Sequence, residues 1–338
     1  MKERCLIIAE AGVNHNRDIT LALRLCDAAK QAGADVVKFQ TWKTEAIITR
    51  SVPQAEYQSA NTGVTQSQFD MLKELETPYE DFVKIKQHCD SIGITFASTA
   101  DDEESLDFLI DLGIPFIKVG SGDIGNVHYL RYIGSKGLPV ILSTGMSTLD
   151  DVAVSLEALK QGGISTDDIT LLHCTTNYPC PYSEVNLRAM LTLQKEFGLK
   201  VGYSDHTVGI QAAAAAAALG ACVIEKHFTL DRRLPGPDQA ASTEPEEFSE
   251  MARTVRTVET CLGSGAKQPT VSEKRIRTVV AKRIVAKRNI SPGEAFTEEN
   301  ICVKRNDKGE PAADWDKVIG LTAKQNYQPD DAIIIYDK

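Results

Sequence analysis

Eight short apolar, β-branched segments recur along the first 230 residues, and stretches with helical periodicity separate them. Near-continuous apolar runs of this length are typical of strands buried on both faces of a parallel sheet. Parallel strands need long crossover connections, which helices supply. The segments are CLIIAE (5–10), ADVVKFQ (34–40), ITFAST (94–99), PFIKVG (115–120), PVILST (139–144), ITLLHCT (169–175), KVGYSD (200–205) and CVIEKHF (222–228).

Eight strand–helix units over roughly 260 residues match the size and repeat number of a (β/α)8 TIM barrel, and we predict one over residues 1–262. A doubly wound open sheet is the alternative, but no Gly-x-Gly-x-x-Gly pattern follows the first strand. A long insertion, residues 41–78, separates the second and third units. Long connections of this kind are often lids or binding loops.

The character of the chain changes after the barrel region. Residues 263–282 are rich in Lys and Arg, and we interpret them as a solvated linker. Residues 283–338 contain short β-type runs with Pro-Gly and Pro-Asp turns. We therefore predict an α/β chain with a small C-terminal β domain, which has too small a core to be stable without docking on a barrel.

Composition limits the partners and the compartment. The 338 residues carry a formal net charge of −10, which argues against nucleic acid or an anionic membrane surface as the main partner. No apolar run approaches the ~20 residues of a membrane span, and the N-terminal run is too short for a secretory signal. The eight cysteines are scattered and form no Cys-x-x-Cys pair. We expect a cytoplasmic protein with reduced thiols.

Reactive polar residues follow or end each predicted strand. In a barrel, the C-terminal ends of the strands form the active-site face. We therefore expect these side chains to converge on one site. They are Glu10; Lys38 and Gln40; Ser98 and Thr99; Lys118 and Ser121; Ser143 and Thr144; His173, Thr175 and Thr176; Ser204, Asp205 and His206; Glu225 and His227.

Two of these residues are histidines at the ends of adjacent strands. His206 follows the seventh strand and His227 ends the eighth, so that both imidazoles could bind one divalent cation. Asp205 and Glu225 are close enough in sequence to serve as further ligands or as acceptors behind the histidines. The alternative is that one histidine is structural.

Lys38 and Lys118 form a second pair. A lysine inside a barrel mouth needs an anionic partner to offset its desolvation. With nearby hydroxyl groups, the two lysines could bind a phosphate and a carboxylate. The alternatives are structural salt bridges with Glu10 and Asp123, or a lysine that forms a Schiff base, as in barrel aldolases. The two histidines favour a metal over a Schiff base.

At these residues the chain resembles the sialic acid (nonulosonate) synthases. The resemblance covers nearly the whole chain, with the motifs in the same order and spacing. In that family, a (β/α)8 barrel precedes a β-clip domain that resembles antifreeze proteins (the SAF domain), which residues 283–338 match. The motifs are AEAGVNHN (9–16), VVKFQT (36–41), KVGSGD (118–123), ILSTGM (141–146), LLHCTTNYP (171–179), GYSDHTVG (202–209), EKHFTLD (225–231) and GPDQAAS (236–242).

The resemblance implies condensation of phosphoenolpyruvate with an N-acylated mannosamine-type sugar, with release of phosphate. It implies a divalent metal, commonly Mn2+ with Mg2+ or Co2+ as alternatives, bound by His206 and His227. It also implies a domain-swapped homodimer in which Arg305 reaches the sugar of the partner's barrel. The other implied residues are Glu10 near the aldehyde; Lys38, Thr99, Lys118, Ser121, Thr176 and Ser204 around phosphoenolpyruvate; and Gln40, Asn61, Asp123, Tyr178 and Asp238 around the sugar.

Some positions depart from the family pattern. Relatives carry Glu at Asp123, Asn at Thr176 or His at Gln239, and often Pro-Gly-Asn-Gly where NDKG follows Arg305. These departures concern the identity of the sugar. We expect N-acetylneuraminate synthesis from N-acetylmannosamine. The alternative is legionaminic acid synthesis from a 2,4-diacetamido-trideoxymannose, and the more distant ones are a Schiff-base aldolase and a carbohydrate- or ice-binding protein without activity.

Overall fold

The structure, a computed structural model, describes residues 4–54 and 66–335. It forms two compact units, Met1–Gly263 and Ser264–Lys338. The first unit is a closed barrel of eight parallel strands in sequential order, which confirms the predicted (β/α)8 architecture. The strands are β1 Leu6–Gly12, β2 Val36–Thr41, β3 Thr95–Ala100, β4 Ile117–Val119, β5 Val140–Ser143, β6 Ile169–Cys174, β7 Lys200–Asp205 and β8 Val223–His227.

Helices surround the barrel, and the main core lies between them and the strands, around side chains such as Phe39, Phe82 and Phe248. Within the described residues, the 41–78 insertion contributes α2 and α3. The helices of this unit are α1 Ile19–Gln31, α2 Thr44–Ile47, α3 Gln68–Leu75, α4 Tyr79–Ile92, α5 Glu103–Asp111, α6 Val127–Gly134, α7 Leu149–Gly162, α8 Arg188–Phe197, α9 Gln211–Ala218 and α10 Pro245–Leu262.

The inside of the barrel is built in layers that follow the two-residue period of the strands. A buried apolar layer closes the lower part of the barrel. Two residues further along most of the same strands, the same face carries polar side chains. The apolar layer therefore forms the floor of a polar chamber at the C-terminal ends of the strands. Its residues are Ile8, Val36, Ala97, Phe116, Ile141, Leu172 and Val223.

The second unit contains a small β domain, as predicted. Strands β9 (Lys282–Ala286) and β10 (Ile301–Arg305) pair antiparallel, and helix α12 (Trp315–Val318) follows. Its own core includes Ile284, Phe296 and Tyr327. The segment interpreted as a linker contains helix α11 (Val271–Val280), none of whose residues is buried.

The helices of the described residues were also compared with the thickness of a membrane. None of them is both long enough and apolar enough to cross a bilayer.

Candidate active site

The polar chamber is a cavity of about 300 Å³ at the C-terminal ends of the barrel strands. Most of the predicted site residues of the first unit line it, so the expectation that the strand ends converge is met for those side chains. The lining residues are Glu10, Lys38, Gln40, Thr99, Asp101, Lys118, Gly120, Ser121, Gly122, Ser143, Met146, Cys174, Thr176, Tyr178, Ser204, His206, Glu225 and His227.

Glu10 and Lys38 form a buried ion pair on one side of the cavity. Lys38 Nζ lies 2.5 Å from Glu10 Oε2 and donates to Thr99 Oγ1 at 3.1 Å. Gln40 Nε2 donates to the other Glu10 oxygen at 3.0 Å. Burial, with repulsion from Glu225, raises the pKa of Glu10 to about 7 against the opposing attraction of Lys38. Glu10 can therefore change protonation state near neutral pH.

Glu225 lies between the two buried lysines. Its carboxylate oxygens are 3.7 Å from Lys118 Nζ and 3.8 Å from Lys38 Nζ. Ser204 Oγ donates to Glu225 at 3.0 Å, and Lys118 donates to Ser143 Oγ at 2.8 Å. Burial favours the neutral acid, but Lys118 and Lys38 outweigh it and lower the pKa of Glu225 to about 2.

These contacts decide between the partners proposed for the lysines. Lys38 does pair with Glu10, as the structural alternative expected. Lys118 pairs with Glu225 and not with Asp123, because both side chains point into the barrel and meet across its interior. Burial lowers the pKa of Lys118 despite the attraction of Glu225. The cavity therefore holds two lysine side chains, and each of them is paired with a buried carboxylate.

The two histidines lie side by side at the cavity wall. Their ring centroids are 5.4 Å apart, with an angle of 69° between the planes. Tyr178 contacts both rings, with centroid distances of 4.2 Å to His206 and 5.2 Å to His227. Burial lowers the pKa of both imidazoles, so they are neutral at pH 7. Neutral imidazole is the form that binds a metal.

The hydrogen bonds of the histidines fit a metal site. His206 Nδ1 donates to the Thr175 carbonyl at 2.6 Å, so its Nε2 carries the lone pair and faces the Ser204 hydroxyl at 3.3 Å. His227 Nδ1 is buried and has no hydrogen-bond partner among the described residues. No group of three or more His, Cys, Asp or Glu side chains in the described part of the chain is arranged to hold a metal ion. The structure therefore brings two neutral imidazoles together at the cavity wall, one fewer than the three protein ligands that are usual in catalytic zinc sites.

Ser121 lines the cavity and is in close contact with the loop that contains Gly145. The Gly145 backbone N–H donates to Ser121 Oγ at 2.9 Å, so the hydroxyl proton remains free to donate. A side chain at Gly145 would meet Thr176 Oγ1 at 2.3 Å and Ser121 Oγ at 2.8 Å. Cys174 Sγ is 3.3 Å from the same hydroxyl. Glycine is therefore required for the close approach of this loop to the cavity.

Asp101 and Asp123 are two further acidic residues, which lie close enough to interact electrostatically. Asp101 lines the cavity, and burial together with the nearby Asp123 raises its pKa to about 7. Asp123 is in a 3₁₀ turn, Ser121–Asp123, and accepts a hydrogen bond from Asn126 at 3.0 Å. Burial also raises the pKa of Asp123. These carboxyl groups suit hydroxyl or amide donors of a neutral substrate better than an anion.

The remaining predicted residues lie apart from the cavity lining. Asp238 follows β8, and burial raises its pKa to about 6. Its neighbour Gln239, one of the departures from the family pattern, is buried and hydrogen-bonds Thr229 and the Asn14 carbonyl. Asn61 lies outside the described residues. Arg305 ends β10 in the second unit.

One expectation was wrong because of side-chain alternation along a strand. Asp205 does not face the histidines from the cavity side, since Ser204 points inward and Asp205 outward. It forms an ion pair with Lys226 at 2.7 Å on the other face of the strands. His173 likewise bonds the Val185 carbonyl and does not line the cavity.

Seven lining residues are not among those that the family resemblance implies: Asp101, Gly120, Gly122, Ser143, Met146, Cys174 and Glu225. Ser143 and Glu225 were among the strand-end residues, and the two-residue spacing of Glu225 from His227 places both on the same face. That spacing was a sufficient signal. Asp101 follows a strand that runs one residue beyond its predicted end, so its side chain was not counted.

Comparison with known proteins is consistent with this geometry. The family model described as the NeuB family matches residues 25–267, and the SAF domain model matches residues 281–333. The chain belongs to the NeuB family. It is 46% identical to the N,N'-diacetyllegionaminic acid synthase of Legionella pneumophila, over 95% of this chain and 91% of the relative. It is 44% identical to the enzyme of the same name from Campylobacter jejuni, over 98% and 99% of the two chains.

A solved structure also resembles the chain. The N-acetylneuraminic acid synthetase of Leptospira borgpetersenii, in complex with citrate, aligns with a TM-score of 0.71 at 32% identity. The alignment covers 81% of this chain and 90% of that one. Family membership makes the chain an enzyme, a phosphoenolpyruvate-dependent nonulosonate synthase of the sialic acid synthase type. The aldolase and binding-protein alternatives are therefore set aside.

Proposed function

We propose that this enzyme condenses phosphoenolpyruvate with 2,4-diacetamido-2,4,6-trideoxymannose and water to give N,N'-diacetyllegionaminate and phosphate. This is the alternative from the sequence analysis, and it replaces N-acetylmannosamine as the preferred sugar. Two relatives at 46% and 44% identity, each aligned over more than nine-tenths of this chain, are named for this product.

The proposal that phosphoenolpyruvate binds here rests on the two lysines that line the cavity. Its phosphate and carboxylate need positive charge, which Lys38 and Lys118 supply, and hydrogen-bond donors, which Thr99, Ser121 and Ser204 supply. A cavity of about 300 Å³ is at the lower end of the range for small-ligand sites and suits one small anion at its base.

We propose His206 and His227 as the ligands of a divalent metal, with Mn2+ preferred. A bound divalent ion polarises a carbonyl oxygen and so makes the aldehyde carbon of the open-chain sugar more electrophilic. Two imidazoles that lie side by side, each with a pKa lowered by burial, support this role. Gln40 and Tyr178 line the cavity and are proposed to contact the sugar. Asp123 and Asp238, which are not part of the cavity lining, are proposed as further sugar contacts.

The reaction then follows from how the residues hold the substrates. Lys38 and Lys118 orient phosphoenolpyruvate so that its C3 faces the aldehyde carbon, and the new carbon–carbon bond forms there. Positive charge develops at C2, and Glu10 is placed to stabilise it as a carboxylate. Water adds to C2 and gives one proton to a carboxylate, which passes it to the former aldehyde oxygen. The ketone then forms at C2 as the C–O bond to phosphate breaks, and the second proton of the water leaves with the phosphate. Glu10, with a pKa near 7, is the proposed proton carrier.

A substrate panel tests the proposed function. The purified enzyme is incubated with phosphoenolpyruvate, Mn2+ and either the diacetamido-trideoxymannose or N-acetylmannosamine, and phosphate release and product mass are measured. We expect kcat/KM to be at least about tenfold higher for the diacetamido sugar, since one additional apolar or hydrogen-bonded group typically contributes this much discrimination. Preference for N-acetylmannosamine would return the assignment to N-acetylneuraminate. If neither sugar leads to phosphate release, both substrate assignments are contradicted.

A further inference from the structure

Two fully buried charged residues lie behind the histidines, outside the cavity. Asp205 is the last residue of β7, Lys226 precedes His227 in β8, and the two are paired directly across the strand ladder. Their relative exposures are 1% and 2%. On the inner face of the same ladder, Ser204 hydrogen-bonds Glu225. Polar contacts therefore join β7 and β8 on both faces, just before His206, which follows β7, and His227, which ends β8.

The Lys226 ammonium group contacts the residues on both sides of His206. It donates to Asp205 Oδ2 at 2.7 Å and to the Thr207 carbonyl at 2.7 Å. Thr207 in turn donates to Asp205 Oδ1 from its backbone N–H at 2.9 Å and from its hydroxyl at 2.8 Å. The backbone around His206 is thus fastened to the residue immediately before His227.

The two histidines differ in their other restraints. His206 donates to the Thr175 carbonyl, has a longer contact of 3.3 Å with the Ser204 hydroxyl and packs against Tyr178. In the described part of the chain, His227 Nδ1 has no partner, so the orientation of this ring depends on its backbone and on packing against Tyr178. The separation of the two imidazoles therefore depends on the contact between the backbones of β7 and β8, where Lys226 is bound.

We propose that Asp205 and Lys226 are positioning residues that set the separation of the two imidazoles for the metal ion. This inference rests on the proposed metal site at His206 and His227. Two ligands give a usable site only if their spacing matches the ion, and groups behind the ligands typically change metal affinity by about 10- to 100-fold. A buried, fully hydrogen-bonded ion pair holds such a spacing rigidly because neither charge can be left alone in the interior.

The test is Mn2+ binding to the metal-stripped full-length enzyme, measured by titration calorimetry with MnCl2 alone. Lys226→Met, Asp205→Asn and the double variant are each expected to weaken Mn2+ binding at least about tenfold. Asp35→Asn is the matched control, since Asp35 pairs with Arg256 at the opposite end of the barrel. We expect the control to lower the melting temperature and leave Mn2+ affinity within twofold of wild type.

The outcomes separate positioning from stability. Folded Lys226→Met protein with Mn2+ affinity within twofold of wild type would overturn the proposal. So would recovery of affinity in the double variant, because the loss would then come from an uncompensated charge. If these variants do not fold, Tyr203→Phe is tested in their place, because it removes one hydrogen bond to Asp205. We expect this variant to bind Mn2+ two- to threefold more weakly than wild type. Unchanged Mn2+ affinity would contradict the proposal. Two other results would contradict the proposed metal site at His206 and His227 itself. They are wild-type enzyme that binds no Mn2+ and His227→Ala enzyme that binds Mn2+ with normal affinity.

Discussion

The Lys38 ammonium group lies 2.5 Å from the Glu10 carboxylate, and both side chains are buried in the barrel. The pair faces a cavity that also holds Lys118 and Glu225. An arriving anion must therefore compete with carboxylates that already neutralise the lysines. The attraction of the carboxylates stabilises the charged form of Lys38 inside the barrel and makes the protonation of Glu10 sensitive to what is bound.

Glu10 is predicted to control the pH dependence of turnover. Its pKa is raised to about 7, so it is neutral below pH 7 and a carboxylate above it. Because the carboxylate stabilises positive charge at C2, we expect kcat to rise as pH increases through about 7. Glu10→Gln should lower kcat by about 100-fold or more and remove this limb of the profile. If the Glu10→Gln enzyme still shows the rise of kcat through about pH 7, that rise belongs to another titrating group.

Lys118 is predicted to bind the anionic substrate. Lys118→Met removes one of the two lysine charges that line the cavity. We expect kcat/KM for phosphoenolpyruvate to fall at least about 100-fold, since hydrogen bonds between charged groups are stronger than those between neutral groups. Steady-state phosphate release measures the effect. Lys84→Met is the control, because Lys84 pairs with Asp81 on the exposed surface of α4. Equal effects of the two substitutions would contradict the assignment.

The metal is predicted to be essential. Treatment with a chelator, followed by removal of the chelate, should abolish phosphate release, and added Mn2+ should restore it. His206→Ala should reduce turnover by more than about 100-fold without restoration by Mn2+, since the ion would lose one of two protein ligands. Full activity after complete removal of divalent metal would refute the metal proposal.

Asp101 is predicted to make stability depend on pH. Its folded-state pKa is raised to about 7 from 3.8, mainly by burial, so the folded protein holds this proton more tightly than the unfolded chain. Its contribution to stability is present below pH 4 and is lost as pH rises toward 7. Asp101→Asn should therefore gain melting temperature relative to wild type, by a few degrees, between pH 5 and pH 8. Asp167→Asn, at an exposed position, is the control, and its melting temperature should differ from that of wild type by the same amount across this pH range.

The barrel and most of its cavity could be predicted from the sequence, because the C-terminal ends of parallel strands meet at one face of a barrel. Lys38, Lys118, His206 and His227 were identified as polar residues at those strand ends, and all four line the cavity. The contacts between them could not, because they cross the barrel interior. Lys118 meets Glu225, four strands further along the chain, and nothing local in either strand indicates that pairing.

The errors and omissions had the same kind of cause. Asp205 was expected near the metal, but a one-residue step along β7 places it on the outer face with Lys226. Asp101 was omitted because β3 runs one residue further than predicted. Sequence patterns locate a strand to within a residue or two, whereas the face of a side chain changes with every residue. Prediction of a site therefore fails first at strand ends.

Arg305 supplies the last prediction, which concerns the partner subunit. The family resemblance implies a homodimer in which each C-terminal domain serves the other subunit's barrel. His206→Ala and Arg305→Ala enzymes should each be inactive alone. If the domains are exchanged, a mixed dimer has one site with both native residues, so equal mixing after subunit exchange should restore about a quarter of wild-type activity. Phosphate release from the mixture measures this. If each domain serves its own barrel, or the enzyme is a monomer, mixing restores nothing.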